Sequence, residues 1–238
     1  MRSHITDSTP LNRRTGIAYL GIVVFGIFAE FFVRMSLVVP DEPVTTAQNI
    51  AGSTGLFAAG IGADATMVAL DVAVAVGLYR LLRHVDHRLA LFATGTRLVQ
   101  ATILAGNLLN PVRARELAGT AVETAAIGPA EQALAAMEAQ ALVYDIALIA
   151  FALSCLAIAR LLHRTGEAPR WLPIGMYATG VVYLVGSFAA VFAPGLSGAI
   201  DPFYGIAIIV EPAFAIWLIV RGIAAPRTTT PIAAAVPA

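Results

Sequence analysis

The chain contains six long apolar runs, each of about 20 residues or more, separated by shorter polar segments. The runs cover residues 16–33, 56–82, 89–109, 139–162, 171–193 and 202–223. A helix of this length crosses the hydrocarbon core of a bilayer, which is about 30 Å thick. Because hydrocarbon offers no hydrogen-bond partners, the backbone of such a run satisfies its own N–H and C=O groups by forming a helix. The sequence therefore predicts an all-α fold, a polytopic membrane protein built as a six-transmembrane-helix bundle.

The composition agrees with this fold and narrows the partners. Hydrophobic residues make up 58% of the chain and charged residues only 13%, whereas a soluble domain carries about 25% charged residues. The predicted partners are the lipid bilayer and a small-molecule or lipid ligand. A formal net charge of zero argues against nucleic acid, and nothing in the sequence indicates a particular protein partner. Cys155 is the only cysteine and lies in an apolar run, so we expect a buried packing thiol.

The polar segments divide the chain into one membrane domain with two tails. Residues 1–15 are predicted as a cytoplasmic N-terminal tail, 16–224 as the transmembrane domain, and the Pro/Thr/Ala-rich residues 225–238 as a disordered cytoplasmic C-terminal tail. Arg34 follows the first run directly and no cleavage pattern precedes it, so this run is interpreted as a signal anchor.

The two longer connections between runs are expected to carry some helix of their own. We predict that the connection at 34–55 contains a short helix that starts near Thr45. Pro111 is predicted to stop the third span. Residues 129–140 are rich in Ala and Glu, and are predicted to continue unbroken into the fourth span.

The arginines give the orientation. With the N-terminus inside, the inner ends of the spans carry most of them. They are Arg2, Arg13, Arg14, Arg80, Arg83, Arg88, Arg160, Arg164, Arg170, Arg221 and Arg227. Only Arg34, Arg113 and Arg115 fall outside. The positive-inside rule therefore predicts that both termini are cytoplasmic, and an even number of spans agrees with this.

Ionisable and amide side chains inside the spans mark the candidate site, because they are costly in hydrocarbon and are functional by default. The candidate ligand-binding residues are Glu30, Asp64, Asp71, Arg97, Gln100, Asn107, Asp145 and Glu211. From the helical rise of about 1.5 Å per residue, Asp71 and Arg97 lie at one depth, roughly 3 Å toward the cytoplasm. Four other carboxyl groups lie in a second layer, roughly 4–8 Å toward the outside. They are Glu30, Asp64, Asp145 and Glu211, and we predict that they line one cavity.

The charges in these layers do not balance. Arg97 can neutralise Asp71 through two hydrogen bonds, with Asp64 as the rival partner. The remaining carboxyl groups have no basic partner within a span, so they are protonated, face water or surround a cation. The alternative is that acids and amides only hydrogen-bond the bundle together.

Other patterns are less informative. His84, His87 and His163 lie in inner turns, where a metal site is the alternative to solvated loop residues. We predict no metal, no cofactor and no catalytic residues, because no nucleotide, zinc-protease or serine-hydrolase motif is present.

A set of short motifs resembles a known family. They are R-x-x-G-I-x-Y-L at 13–20, F-A-E-F at 28–31, V-P-D at 39–41, L-Y-R-L-L at 78–82, R-L-V-Q at 97–100, N-L-L at 107–109, P-R-W-L at 169–172 and E-P-A-F-A-I-W-L at 211–218. In their order they resemble the bacterial membrane proteins grouped as domain of unknown function 4386, over about residues 12–224. The resemblance implies a single six-helix membrane domain and no assigned activity. The L-F pair of the family corresponds to Leu56 and Phe57 here. Where that family usually has an arginine after the pair, Ala58 and Ala59 stand in this sequence, so Asp64 has no neighbouring charge on its own helix.

Three functions follow as hypotheses. The first is a binding or transport module with an acidic, outward-facing intramembrane cavity for a small cationic or lipophilic ligand. The second is a non-enzymatic accessory protein that packs against a partner. The third is an intramembrane enzyme that uses the acid cluster for proton transfer, and it ranks last because nucleophile and metal ligands are missing from the spans.

Overall fold

The computed structural model describes residues 8–224 and is helical throughout, with no strand in that range. The main helices are α1 (Ser8–Ile27), α2 (Pro43–Gly52), α3 (Thr54–Leu82), α4 (His87–Asn107), α5 (Leu109–Thr124), α6 (Ile127–Thr165), α7 (Trp171–Phe192) and α8 (Gly205–Val220). Short turns at Pro194–Leu196, Ser197–Ile200 and Asp201–Tyr204 join α7 to α8. Six helices in the described chain are long and apolar enough to cross a membrane, which confirms the predicted fold class. The predicted disordered tail at 225–238 lies outside the described residues.

The first span is longer at both ends than the apolar run. It begins at Ser8 rather than at Gly16, and it continues past α1 through a π-helical segment, Phe28–Arg34, and a last turn, Met35–Leu37. The prediction that Arg34 lies in a polar connection is therefore wrong. A basic residue four positions after Glu30 pairs with it on the helix surface, so the charge extends the helix instead of ending it.

The third span also continues where a stop was predicted. A single non-helical residue, Leu108, separates α4 from α5, and Pro111 lies in the first turn of α5, where a missing N–H costs no hydrogen bond. The α4–α5 pair spans 38 residues and α6 spans 39 residues, so each is about 57 Å long and extends well beyond a hydrocarbon core of about 30 Å. The prediction that residues 129–140 run unbroken into the fourth span is confirmed.

The extended parts of these helices form a small second core with α2. It consists largely of alanines, including Ala47, Ala114, Ala118 and Ala133, with Ile50 in contact. Small side chains let α2, α5 and the first half of α6 approach closely.

Within the described residues, the six spans form a closed ring. Its contact order is α1, α3, α4, α6, α7 and α8, and α8 returns to α1. Asn12 joins the two ends, because its amide donates to Ile223 O at 2.9 Å and accepts from Ile223 N at 3.1 Å. Beside its packed core, the ring surrounds a space that all six spans line.

The turn between α3 and α4 is fixed by Asp86. Its carboxylate accepts from Leu89 N at 3.0 Å, which caps α4, and it also pairs with Arg164 at the end of α6. The Leu89 amide and the Arg164 guanidinium lower the pKa of Asp86 below its usual range. This pair places the turn after α3 and the end of α6 at the same end of the bundle.

Candidate binding site

The central space of the ring is a cavity of about 740 Å³, within the size range of small-molecule sites. All six spans contribute to its wall, and most of that wall is apolar. The polar residues predicted from the sequence that line it are Glu30, Asp71, Gln100, Asp145 and Glu211. Arg97 lies behind Asp71, whereas Asp64 and Asn107 line a small neighbouring crevice between α3, the α4–α5 junction and α6.

Asp71 and Arg97 form a buried ion pair between α3 and α4. The side chains are 0% and 1% exposed, and Arg97 Nη2 lies 2.7 Å from Asp71 Oδ1. Arg97 Nε donates to the same oxygen at 3.0 Å. The other carboxylate oxygen, Asp71 Oδ2, accepts a hydrogen bond from Gln100 Nε2 at 3.3 Å.

Two aromatic rings cover the guanidinium of Arg97. Its Cζ atom lies 4.7 Å from the ring centre of Tyr19 on α1 and 4.8 Å from that of Phe151 on α6. Cation–π attraction is strong where water is excluded. Asp71, Arg97 and the two rings thus join four helices beside the cavity.

The two amides on α4 have different roles. Asn107 Nδ2 donates to Gln140 O at 2.9 Å, and its Oδ1 accepts from Asn110 at 2.8 Å, so Asn107 is bound to the protein itself. Gln100 lines the cavity, and its buried Oε1 accepts no hydrogen bond from the described part of the chain. A buried acceptor of this kind is paired in most proteins, which favours a ligand or water that donates to it.

A second ion-pair group lies in the π-helical segment. Arg34 Nε donates to Glu30 Oε2 at 2.7 Å, and Arg34 Nη1 donates to Asp64 Oδ2 on α3 at 2.8 Å. The expectation that Glu30 and Asp64 have no basic partner within a span is therefore wrong. The counter-charge of Asp64 comes from a neighbouring helix and not from its own. Segments of π-helix are frequent at functional sites.

Glu211 on α8 is a second buried carboxyl group in the wall of the cavity. The Tyr183 hydroxyl donates to its Oε1 at 2.6 Å, and the Tyr19 hydroxyl donates to its Oε2 at 3.3 Å. Two hydroxyl donors stabilise a carboxylate without neutralising its charge. Tyr19 therefore contacts both Glu211 and the guanidinium of Arg97.

The structure thus brings Glu30, Asp145 and Glu211 to one cavity and leaves Asp64 beside it. Glu30 is 51% exposed at the rim, whereas Asp145 is half-buried on α6. Among the described residues at the cavity and its ion pairs there are five carboxyl groups and two guanidinium groups. The site is acidic unless some of these groups are protonated.

Sequence reasoning missed Tyr19, Tyr183 and the role of Arg34. Tyr19 lies within the R-x-x-G-I-x-Y-L motif, which offered a signal. The i, i+4 spacing of Glu30 and Arg34 also offered one. Tyr183 gives no such signal, since a tyrosine in an apolar run is indistinguishable from an ordinary packing residue.

Comparison with known proteins adds a family match. One family model, described as Domain of unknown function (DUF4386), matches residues 14–222. No curated protein and no solved structure matches the chain.

Proposed function

Because the chain belongs to the family described as Domain of unknown function (DUF4386), whose description assigns no activity, we propose a function from the cavity itself. The protein is an integral membrane binding or transport module, and its central cavity holds a small organic cation. The observation that carries this proposal is the buried Glu211 carboxyl group, held by two tyrosine hydroxyls inside a largely apolar cavity of about 740 Å³.

The chemistry of the wall favours a cation over an anion or a neutral molecule. Carboxyl groups outnumber guanidinium groups, and both arginines already have carboxylate partners. A ligand ammonium can donate to Glu211 and to the free acceptor of Gln100, while its apolar part contacts the wall. A cavity inside the ring, lined by all six spans, also favours this function over an accessory protein, which would bind its partner through its outer surface.

Ligand binding by Glu211 is directly testable in lipid nanodiscs. We expect primary amines such as butylamine to stabilise the protein against thermal unfolding, by about 2.7 kcal/mol at 100 times the dissociation constant. Glu211→Gln keeps the size of the side chain and removes its charge, so it should weaken amine binding at least about tenfold, or 1.4 kcal/mol. Isothermal titration against empty nanodiscs measures the affinity.

The matched control is Glu138→Gln on the exposed face of α6, which does not line the cavity and should bind amines normally. Butanol and butyrate serve as neutral and anionic controls of the same chain length. Equal binding of butanol and butylamine, or unchanged affinity in Glu211→Gln, would contradict the proposal.

We further propose that both termini are cytoplasmic in a bacterial inner membrane. The arginine bias supports this orientation. The clasp between Asn12 and Ile223 also places the start of α1 and the end of α8 together. A fluorescent protein that folds only in the cytoplasm should fluoresce when fused to the C-terminus. A phosphatase that is active only after export should be active when inserted after Ala125, and the reverse pattern would overturn the orientation.

A further inference from the structure

The wall of the ring between α1 and α8 is closed at one end and open at the other. At the closed end, a Cβ atom added to Gly16 would lie 2.7 Å from Ala215 O and from Ile219 Cγ1, so the two backbones touch there. The Asn12 side chain forms two hydrogen bonds with the backbone of Ile223 at the same end. The helices are thus held together where α1 starts and α8 finishes.

Toward the other end, the facing side chains of α1 and α8 line the cavity. Ile27 at the end of α1, Phe31 in the π-helical segment after it and Ile208 on α8 are cavity-lining residues, and they are 36%, 49% and 49% exposed. Met35, in the last turn of the first span, belongs to the same group. The two helices therefore diverge into a cleft with an apolar rim, which we call the α1–α8 cleft.

The neighbouring seam between α7 and α8 is filled. Tyr204, just before α8, packs so closely against Gly186 of α7 that a Cβ atom has no room there. Its ring centre also lies 5.7 Å from that of Tyr183. A molecule that enters sideways therefore has a path between α1 and α8 that it lacks between α7 and α8.

The α1–α8 cleft lies close to the buried acid. Ile208 precedes Glu211 by one turn of α8, or about 4.5 Å along the helix axis. Pro212 has no N–H, so it cannot donate the helical hydrogen bond to the Ile208 carbonyl oxygen. The rim thus combines apolar side chains with a backbone acceptor, the Ile208 carbonyl oxygen, and it lies one helical turn from the Glu211 carboxyl group.

From this arrangement, and resting on the proposed function, we propose that the ligand is a single-chain amphiphile with a protonated amine. It enters from the lipid through the α1–α8 cleft, the amine binds at Glu211, and the alkyl chain lies in the cleft. A rim of isoleucine, phenylalanine and methionine matches an alkyl chain, whereas a mouth facing water would gain nothing from these side chains. The exposed Glu30 and its partner Arg34 add a polar part to the rim of the cavity, which leaves a route for small water-soluble amines.

The test compares a long and a short amine on the same variants, using immobilised nanodiscs and surface plasmon resonance, with empty nanodiscs as reference. Ile208→Trp narrows the cleft. Ile209→Trp is the matched control, since Ile209 is exposed on the same helix and does not line the cavity. We expect Ile208→Trp to slow the association of decylamine at least about tenfold more than that of butylamine, because the short amine has no long alkyl chain to pass through the cleft. Ile209→Trp should change neither rate.

A second pair of variants makes the result independent of one substitution. Ile27→Trp narrows the cleft from α1, and Ile17→Trp is its exposed control away from the cavity. Normal association of decylamine in both cleft variants, or equal slowing of both amines, would overturn the lateral route. Normal butylamine binding that still depends on Glu211 would then leave the proposed function standing, whereas a wild-type protein that binds no amine would overturn both.

Discussion

Replacing Arg97 by leucine is expected to lower the free energy of unfolding by about 3–5 kcal/mol, and Asp71→Leu should cost a similar amount. Each change removes one charge and leaves the other buried without its partner, since Arg97 is 1% and Asp71 0% exposed. An arginine cannot readily shed its proton, so Arg97 without Asp71 stays a buried cation. Thermal unfolding in detergent measures both losses.

The double change Arg97→Leu/Asp71→Leu should recover most of the loss, because it removes both charges together. Two features limit the recovery. Gln100 loses the acceptor Asp71 Oδ2, and Tyr19 and Phe151 lose the guanidinium between their rings. Arg113→Leu, on the exposed face of α5, is the control and should change stability by less than about 0.5 kcal/mol. If the two single losses simply add, Asp71 is not the main counter-charge of Arg97, and Glu211 becomes the candidate.

The six spans could be predicted from sequence because a membrane makes secondary structure a local problem. Each run has to satisfy its own backbone, so length and hydropathy suffice to find it. Length and hydropathy gave the wrong helix ends at Arg34 and Pro111, where the first and third spans were predicted to stop. At Arg34 a partner on α3 supports the charge, and at Pro111 a new helix begins within one turn.

The sequence also allowed an estimate of the depth of each carboxyl group in the membrane, but it did not predict which side chains lie next to that group. Depth follows from position along a helix, whereas neighbours depend on which helices touch and on how each is rotated. Asp64 and Glu211 were assigned to one layer. In the ring, α3 and α8 lie on opposite sides of α1, so Asp64 pairs with Arg34 while Glu211 binds Tyr19 and Tyr183.

The pairing of Asp71 with Arg97 could be predicted from the sequence because a short turn joins α3 to α4 and forces them to be antiparallel neighbours. No comparable constraint linked Tyr183 on α7 to Glu211 on α8, since three short turns lie between these helices. The cleft between α1 and α8 was equally hidden. It depends on contact between the first and last helices, which are farthest apart in sequence.

Arg34 pairs with two carboxylates, Glu30 and Asp64, and we expect removal of each to lower the free energy of unfolding by a different amount. Arg34→Leu leaves Asp64 without its cation in a position only 13% exposed, so we expect a loss of about 2–3 kcal/mol, below the range for a fully buried pair. Asp64→Leu should cost a similar amount, and Arg34→Leu/Asp64→Leu should recover most of it. Glu30→Gln should cost less than about 1 kcal/mol, because Glu30 is 51% exposed and water screens its charge.

The difference in stability loss between Asp64→Leu and Glu30→Gln shows which contact holds the π-helical segment in place. If the contact with Asp64 carries most of the energy, Arg34 fixes the π-helical end of the first span to α3 and keeps that end away from α8. The α1–α8 cleft then depends on Arg34, and decylamine should associate more slowly with Arg34→Leu than with Glu30→Gln in the nanodisc assay. A Glu30→Gln variant that loses as much stability as Asp64→Leu would contradict this arrangement, because the exposed bond within α1 would then hold Arg34 by itself.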